Sequence, residues 1–263
     1  MGIDGLSGDA KRDVETFLDG WRIERSIPGL SVAVVDRDGI RYAAGFGARD
    51  VETKAPATPT TRYPYASVTK LVTATVVLQL VDRGEITLDD GIREYVPYWS
   101  DVPGDPITVS ELLSHTSGMP AGYSGERNYL FSADPPASPL VTREDTRRHL
   151  DGVADQRIVD EERFMYSDTG YSILGLLVEE VDGRPFAEVV DEDLFDPLGV
   201  EQSTVGYGEL SEMADATTGY VVEDGTPTAT AFDLDSDAVG LGPASPSGLL
   251  APVTDVARFV RCS

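Results

Sequence analysis

The most constraining feature of the sequence is a long apolar segment that carries one lysine near its start. From Ser67 to Val81 the chain contains no Gly or Pro and is apolar almost all the way round. This pattern is typical of a helix that is buried on most sides. Lys70 lies in the first turn of this predicted helix, where burial of an ammonium is costly and the helix dipole opposes it. A lysine at this position therefore needs a compensating partner or a chemical role.

Ser67 lies three residues before Lys70, so that the two side chains are neighbours on one face of a helix. Serine is a favoured N-cap, so one interpretation of Ser67 is that it caps the helix and has no catalytic role. A capping box, however, has Glu or Gln at the third residue after the cap, and the residue here is Lys. The alternative is a serine nucleophile whose proton is taken by a neighbouring base. The local pattern alone leaves both interpretations open.

A second segment, FMYSDTGYSILGLL, places Tyr166 and Asp168 immediately before another predicted helix. One interpretation is structural: Asp168 or Thr169 caps the helix, and Tyr166 packs with its hydroxyl at the surface. The combination of S-x-x-K with Y-x-polar about a hundred residues later is much rarer by chance than either motif alone. The two segments together favour a chemical role.

The charge of the chain is strongly acidic, with 46 Asp and Glu against 21 Lys and Arg and a net charge of −25. This balance excludes nucleic acid as an expected partner, because phosphate binding requires a basic face. Since 41% of the residues are hydrophobic, disorder is not expected. The Asp-rich composition, with only three lysines, resembles proteins of halophiles, which use an acidic surface to remain soluble.

No apolar stretch reaches eighteen residues, so a membrane-spanning segment is not expected. The N-terminus lacks the layout of a secretory signal, so a cytoplasmic location is expected. The single cysteine, Cys262, excludes an internal disulfide.

The predicted elements begin with an amphipathic helix over 9–25, with Val14, Phe17, Leu18 and Trp21 on one face, and a hairpin that turns at Asp38-Gly39. A capping box at Thr108 and Glu111 opens ELLSHTSG, which Gly118 is expected to close. The remaining expectations are a loop over 119–141, helices from Thr142 and over 168–183, 185–199 and 252–260, and a turn-rich stretch over 200–245. Two strands leave two open sheet edges, so further strands are expected after residue 263.

These segments resemble serine hydrolases of the β-lactamase-related superfamily, in the branch of class C β-lactamases, D-alanyl-D-alanine carboxypeptidases, D-aminopeptidases and lactamase-like esterases. The resemblance covers roughly residues 10–260 and is carried by IPGLSVAVV, YASVTKLVTATVVLQLVDRGEITLDD, ITVSELLSHTSGMP, YSDTGYSILGLLVEEVDGRPF, LFDPLGV and SGLLAPVTDVARFV. It implies an α/β fold, an antiparallel sheet flanked by helices with a helical insertion. Residues 1–263 are then one incomplete domain, divided into 1–66 (helix and hairpin), 67–200 (helical, with both motifs) and 201–263 (turn-rich, returning to the α/β part).

The resemblance also implies roles for the residues of both motifs. Ser67 is the nucleophile that forms an acyl-enzyme, Lys70 assists its deprotonation, and Tyr166 is the general base and acid. Asp168 supplies a polar contact to Lys70 and substrate. The expected substrate is a small molecule with an amide or ester bond: a β-lactam, a D-amino-acid peptide or a small ester. No metal or organic cofactor is implied, and the oligomeric state is open.

Two departures from the family weaken this expectation. The family usually has Asn where this chain has Asp168, and an ionised Asp accepts hydrogen bonds but donates none. The family's third motif, a Lys or His, a small residue and Gly on a strand, is not found in the sequence. The alternative is therefore a binding protein or a fragment that keeps the cleft without turnover.

Other motifs are set aside. His115 belongs to the segment LLSHTSG, which is structural in the family, and His149 in TRRHLDG is expected at a solvated helix end, so no Ser-His-Asp triad is indicated. DLDSDAVG begins like a calcium loop but has Ala238 where Gly is required and Ala244 where the bidentate Glu is required. No Cys/His cluster indicates zinc.

Overall fold

A computed structural model describes residues 3–4, 8–96, 102–120, 154–158, 163–206, 213, 215–229 and 248–262. Most of the predicted loop over 119–141, the helix expected from Thr142, His149 and the calcium-like segment 233–240 lie outside these ranges.

The N-terminal part consists of one helix and a small antiparallel sheet. Helix α1 spans Gly8–Glu24, and strands β2 (Gly29–Asp36) and β3 (Gly39–Asp50) form the predicted hairpin. Gly39 has a φ of 134°, a backbone conformation that favours glycine. Two-residue strands β1 (Ile3–Asp4) and β4 (Ala55–Pro56) add to β3, giving a four-stranded sheet where two strands were predicted. A strand of two residues is too short to show the alternation of apolar and polar residues from which strands are predicted.

The apolar face of α1 is only half covered in the described structure. Val14 and Leu18 are partly buried, whereas Phe17 is 67% exposed and Trp21 lies at the surface beneath the guanidinium of Arg25. The amphipathic helix is confirmed. Within the described part of the chain, however, only the side of its apolar face with Val14 and Leu18 is partly buried.

The helical part is built around α2 (Thr69–Asp82) and α4 (Asp168–Asp182), which pack against each other. Helix α3 (Val109–Leu113) packs on α4, and α5 (Phe186–Val190) packs on both long helices. The fully buried side chains that join them include Val76, Val77, Leu80, Leu112, Ile173, Leu174, Leu177 and Phe186. Leu71 and Leu78 on the opposite side of α2 are exposed, so α2 buries one face rather than its whole circumference.

Several predicted helices differ in detail from the structure. α2 begins two residues after Ser67, at Thr69. α3 ends at Leu113 rather than near Gly118. The segment predicted as one helix over 185–199 contains a π-helical stretch at Asp191–Phe195 between α5 and α6 (Asp196–Leu198). Short 3₁₀ turns occur at Ile92–Glu94 and Ala154–Gln156.

A second sheet joins distant parts of the chain, in the order β5 (Arg62–Pro64), β9 (Leu249–Pro252), β6 (Thr204–Val205), all antiparallel. Helix α7 (Val253–Cys262) follows β9 directly and packs on β2 and β3. The late part of the chain therefore returns to the N-terminal sheet, as the resemblance implies.

Strands β7 (Tyr220–Glu223) and β8 (Thr226–Ala229) form a hairpin inside the stretch predicted only as turn-rich. Its turn residues, Asp224 and Gly225, both have positive φ angles, of 49° and 78°. An Asp-Gly pair between two short strands is a recognised hairpin signal, so this hairpin could have been predicted from the sequence.

Within the described residues, none of the helices has the length and apolarity needed to span a bilayer. In the same residues no group of three or more His, Cys, Asp or Glu side chains is arranged to hold a metal ion.

Candidate active site

Ser67 lies on a tight turn between β5 and α2. Ala66, which precedes it, has a φ of 44°, which is uncommon for a residue with a Cβ and is found preferentially at functional sites. The turn is bonded to β9 on both sides: the Tyr65 amide donates to the Leu249 carbonyl at 2.8 Å, and the Leu249 amide donates to Thr69 Oγ1 at 2.8 Å. These bonds to a distant strand fix the exposed Ser67 at the start of the helix.

The interpretation of Ser67 as an ordinary N-cap is wrong. Val68 occupies the N-cap position of α2, and no side chain caps the helix there. Among the described residues, no acceptor is hydrogen-bonded to the Ser67 amide. Within the described part of the chain, that N–H is therefore available as a hydrogen-bond donor.

Lys70 and Asp168 form an ion pair beside Ser67. The Lys70 ammonium donates to Asp168 Oδ1 at 2.5 Å and to Ser67 Oγ at 3.2 Å. Lys70 is only 6% exposed, whereas the Asp168 side chain is 30% exposed. The carboxylate at the start of α4 thus compensates the ammonium that the apolar segment places in the first turn of α2.

Tyr166 completes the cluster. The Lys70 Nζ lies 4.9 Å from the centroid of the Tyr166 ring and 5.6 Å from that of Tyr171, both within the range of cation–π attraction. Tyr166 is 41% exposed, so its ring borders solvent next to Lys70. The structure therefore brings together all four residues of the two motifs: Ser67, Lys70, Tyr166 and Asp168.

The helix that carries Asp168 is capped by the residue before it. Ser167 Oγ accepts the Gly170 amide at 2.9 Å and donates to the Pro120 carbonyl at 2.7 Å. The expected caps, Asp168 and Thr169, are thus replaced by Ser167. The capping bond leaves the Asp168 carboxylate to pair with Lys70.

His115, which was expected from the sequence to be structural, lies beside the two motifs. Its ring stacks on that of Tyr166 with centroids 4.6 Å apart, and its Nδ1 accepts the Ser167 amide at 3.1 Å. Burial and the positive charge of Lys70 lower the pKa of His115, while Asp168 opposes this shift. The only sequence signal was the position of this rare residue, one of two histidines, directly after the capped helix.

The fold and the site define the class of protein. Helices flank antiparallel sheets in the β-lactamase and penicillin-binding-protein arrangement, and a serine, a lysine and a tyrosine meet at the start of α2. This places the chain among the β-lactamase-related serine hydrolases. A sequence profile of the family described as Beta-lactamase matches residues 10–262, and the chain belongs to that family.

Two similar proteins agree with membership of this family. The chain is 32% identical over 252 residues to Penicillin-binding protein 4 of Amycolatopsis lactamdurans, covering 93% of this chain and 61% of that protein. It is 27% identical over 234 residues to Protein flp of Staphylococcus aureus strain MW2, covering 86% of this chain and 44% of that protein. The chain thus spans about half the length of these relatives.

Among solved structures, the octameric penicillin-binding protein homologue from Pyrococcus abyssi superposes with a TM-score of 0.83 at 30% identity. The match covers 95% of this chain and 55% of that one.

Proposed function

We propose that this chain carries the acylation site of a serine hydrolase, which cleaves an ester or amide bond of a small molecule through a Ser67 acyl-enzyme. The observation that carries the proposal is the Lys70 ammonium, which donates to Ser67 Oγ and to Asp168 at once. Membership of the Beta-lactamase family and similarity to penicillin-binding proteins support it. A β-lactam, a D-amino-acid peptide and a small ester all offer the required carbonyl carbon.

The pairing with Asp168 decides which residue acts as the base. An ammonium that donates to a carboxylate and to the serine oxygen has no lone pair to accept the serine proton. Tyr166 is therefore the base in our proposal, and Lys70 is a fixed cation that stabilises negative charge on the reacting oxygens. This assignment accounts for Asp168 where the family has Asn.

Acylation then proceeds as follows. In the proposed step Tyr166 starts as a phenolate, and its oxygen takes the proton of Ser67 Oγ while Oγ bonds to the substrate carbonyl carbon. The oxyanion that forms accepts a hydrogen bond from the Ser67 amide. The bond to the leaving group breaks, and the leaving group takes the proton from Tyr166. In deacylation, water gives a proton to Tyr166 and its oxygen to the carbonyl carbon. The Ser67 ester then breaks, and the proton returns to Oγ.

The test is covalent labelling with a fluorophosphonate probe in about 2 M KCl, read by intact mass. The wild-type chain should gain one adduct as Ser67 Oγ bonds to phosphorus and fluoride leaves. Ser67→Ala should gain none, and Ser110→Ala, a serine of α3 that lies outside both motifs, should label like wild type.

Undiminished labelling of Ser67→Ala would refute the nucleophile. A wild-type chain that stays unlabelled but binds a β-lactam reversibly would instead favour the alternative, a binding protein of the same fold without turnover.

A further inference from the structure

His115 occupies a backbone position that usually belongs to glycine. It follows the C-cap of α3, Ser114, and has a φ of 60°. The Thr116 amide donates to the Glu111 carbonyl at 2.8 Å and the His115 amide to the Leu112 carbonyl at 3.3 Å, which together form a Schellman motif. Glycine or asparagine adopts this conformation with less strain than histidine. A histidine here therefore calls for an explanation in terms of its side chain.

The explanation lies in two hydrogen bonds on either side of Tyr166. The His115 carbonyl accepts the Met165 amide at 2.7 Å, and His115 Nδ1 accepts the Ser167 amide at 3.1 Å. One residue thus binds the backbone immediately before and immediately after Tyr166. The carbonyl bond is available to any residue at this position, whereas the second bond requires a side-chain acceptor.

The ring of His115 also supports the rings around it. Its centroid lies 4.6 Å from that of Tyr166, 5.0 Å from that of Tyr171 and 5.7 Å from that of Phe164, whose ring is edge-on. Tyr171 is held in turn by a bond from its hydroxyl to the Leu113 carbonyl at 3.1 Å. The ring of Tyr166 therefore packs against the ring of His115, which also contacts Tyr171 and Phe164.

We propose that neutral His115 is the positioning residue for Tyr166, and that protonation of its ring releases Tyr166 from the site. Nδ1 can accept the Ser167 amide only while it carries no proton. The imidazolium would point an N–H at the Ser167 N–H, so the bond after Tyr166 would be lost and the segment 165–167 would shift. The proposal rests on the proposed function for its effect on rate, but not for its structural part.

The charged and titratable groups that face His115 favour the neutral ring at neutral pH. Lys70 on α2 opposes a second positive charge, Asp168 on α4 favours it, and Tyr166 and Tyr171 are the neighbouring phenols. Burial is the largest cause and Lys70 adds to it, so the pKa of His115 falls below its ordinary value of 6.5. The bond to Ser167 is therefore present at neutral pH and is lost as the pH falls through the lowered pKa of His115 in the folded state.

The structural part is tested by ¹⁵N NMR of the imidazole rings in Ser67→Ala, which does not depend on activity. The chain has two histidines, so His149→Gln in the same background leaves His115 as the single signal. We expect neutral His115 to carry its proton on Nε2 and to titrate below pH 6.5. A proton on Nδ1, or titration above that pH, would overturn the proposal even if Ser67 is reactive.

The kinetic part compares three proteins by the rate of fluorophosphonate labelling from about pH 4.5 to 8.5. The wild-type rate should fall on the acid side below pH 6.5. His115→Asn places an amide oxygen near the position of Nδ1 and tolerates the positive φ, so it should retain most of the rate and lose this acid limb. His115→Phe keeps a ring without an acceptor and should label about tenfold or more slowly at every pH.

Either of two results would overturn the positioning role. The first is an acid limb that persists in His115→Asn, which would assign the acid limb to another group such as Asp168. The second is equal labelling rates in His115→Asn and His115→Phe. Failure of the wild-type chain to label at any pH would count against the proposed function instead, and the NMR result would still decide the structural part.

Discussion

At the scale of single residues, the two members of the Lys70–Asp168 pair differ in exposure, and this asymmetry predicts unequal effects on stability. Asp168→Ala leaves the nearly buried ammonium without its carboxylate, so the free energy of unfolding should fall by about 3 kcal/mol. Lys70→Met leaves a carboxylate that is 30% exposed and still hydrated, and should cost about 1 kcal/mol. Urea unfolding of both variants measures the difference, and an equal or larger loss in Lys70→Met would contradict it.

The same pair predicts the kinetic effect of restoring the family's usual asparagine. If Lys70 acts as a fixed cation, Asp168→Asn removes the charge that orients it, so the rate of Ser67 labelling should stay the same or fall. If Lys70 must instead lose its proton to act as the base, removal of the neighbouring carboxylate should raise the rate. The labelling rate at neutral pH separates the two, with Ser110→Ala as the unaffected reference, and a clear increase would exclude Tyr166 as the sole base.

At the scale of elements, the N-terminus of α4 depends on one buried hydroxyl. Ser167→Ala removes the bond to Gly170 and leaves the Pro120 carbonyl without its donor, so it should lower the free energy of unfolding by about 1–2 kcal/mol. Ser172 is an equally buried serine on the same helix, and within the described ranges its hydroxyl bonds to the carbonyl four residues back. Ser172→Ala should therefore have a much smaller effect. Similar losses in the two variants would show that the cap is not the source of the effect.

The elements that could be predicted are those whose signals are local. The hairpin turn at Gly39, the Thr108–Glu111 capping box and both ends of α4 each follow from residues a few positions apart. The early end of α3 could not be predicted, because histidine rarely takes the conformation that His115 adopts. The burial of one face of α2 also depends on which helices pack against it.

The site divides in the same way. The proximity of Ser67 and Lys70 follows from helical spacing, whereas the approach of Tyr166 and Asp168 was implied by the resemblance and not by any local rule. The bond from Ser167 to His115 joins residues 52 positions apart, so only the packing of α3 on α4 reveals it. The roles of these residues remain predictions until labelling tests them.

At the scale of the whole molecule, the net charge of −25 predicts a strong dependence of stability on salt. The Debye length falls from about 10 Å at 0.1 M to about 3 Å at 1 M, which removes much of the repulsion between surface carboxylates. The melting temperature should therefore rise as KCl increases from about 0.1 to 3 M. A melting temperature that stays constant or falls over this range would refute a high-salt adaptation.

A charge variant provides the matched control. Glu52, Glu188 and Glu223 are exposed, and the structure describes no ion pair for them. Replacing all three with lysine raises the net charge by six and should reduce the dependence of the melting temperature on KCl. An unchanged dependence would indicate that salt acts by preferential exclusion of ions rather than by screening.

The pairing of β5 with β9 also governs when the Ser67 turn can form during synthesis. The bond between Leu249 and Thr69 spans 180 residues, so the serine leaves the ribosome long before the strand that holds its turn. Until that strand arrives, the β5 edge of the nascent chain stays unpaired, and an unpaired strand edge favours aggregation. The turn that carries Ser67 is therefore completed late in synthesis, and a chain that ends before Leu249 lacks both of the bonds from β9 that hold this turn.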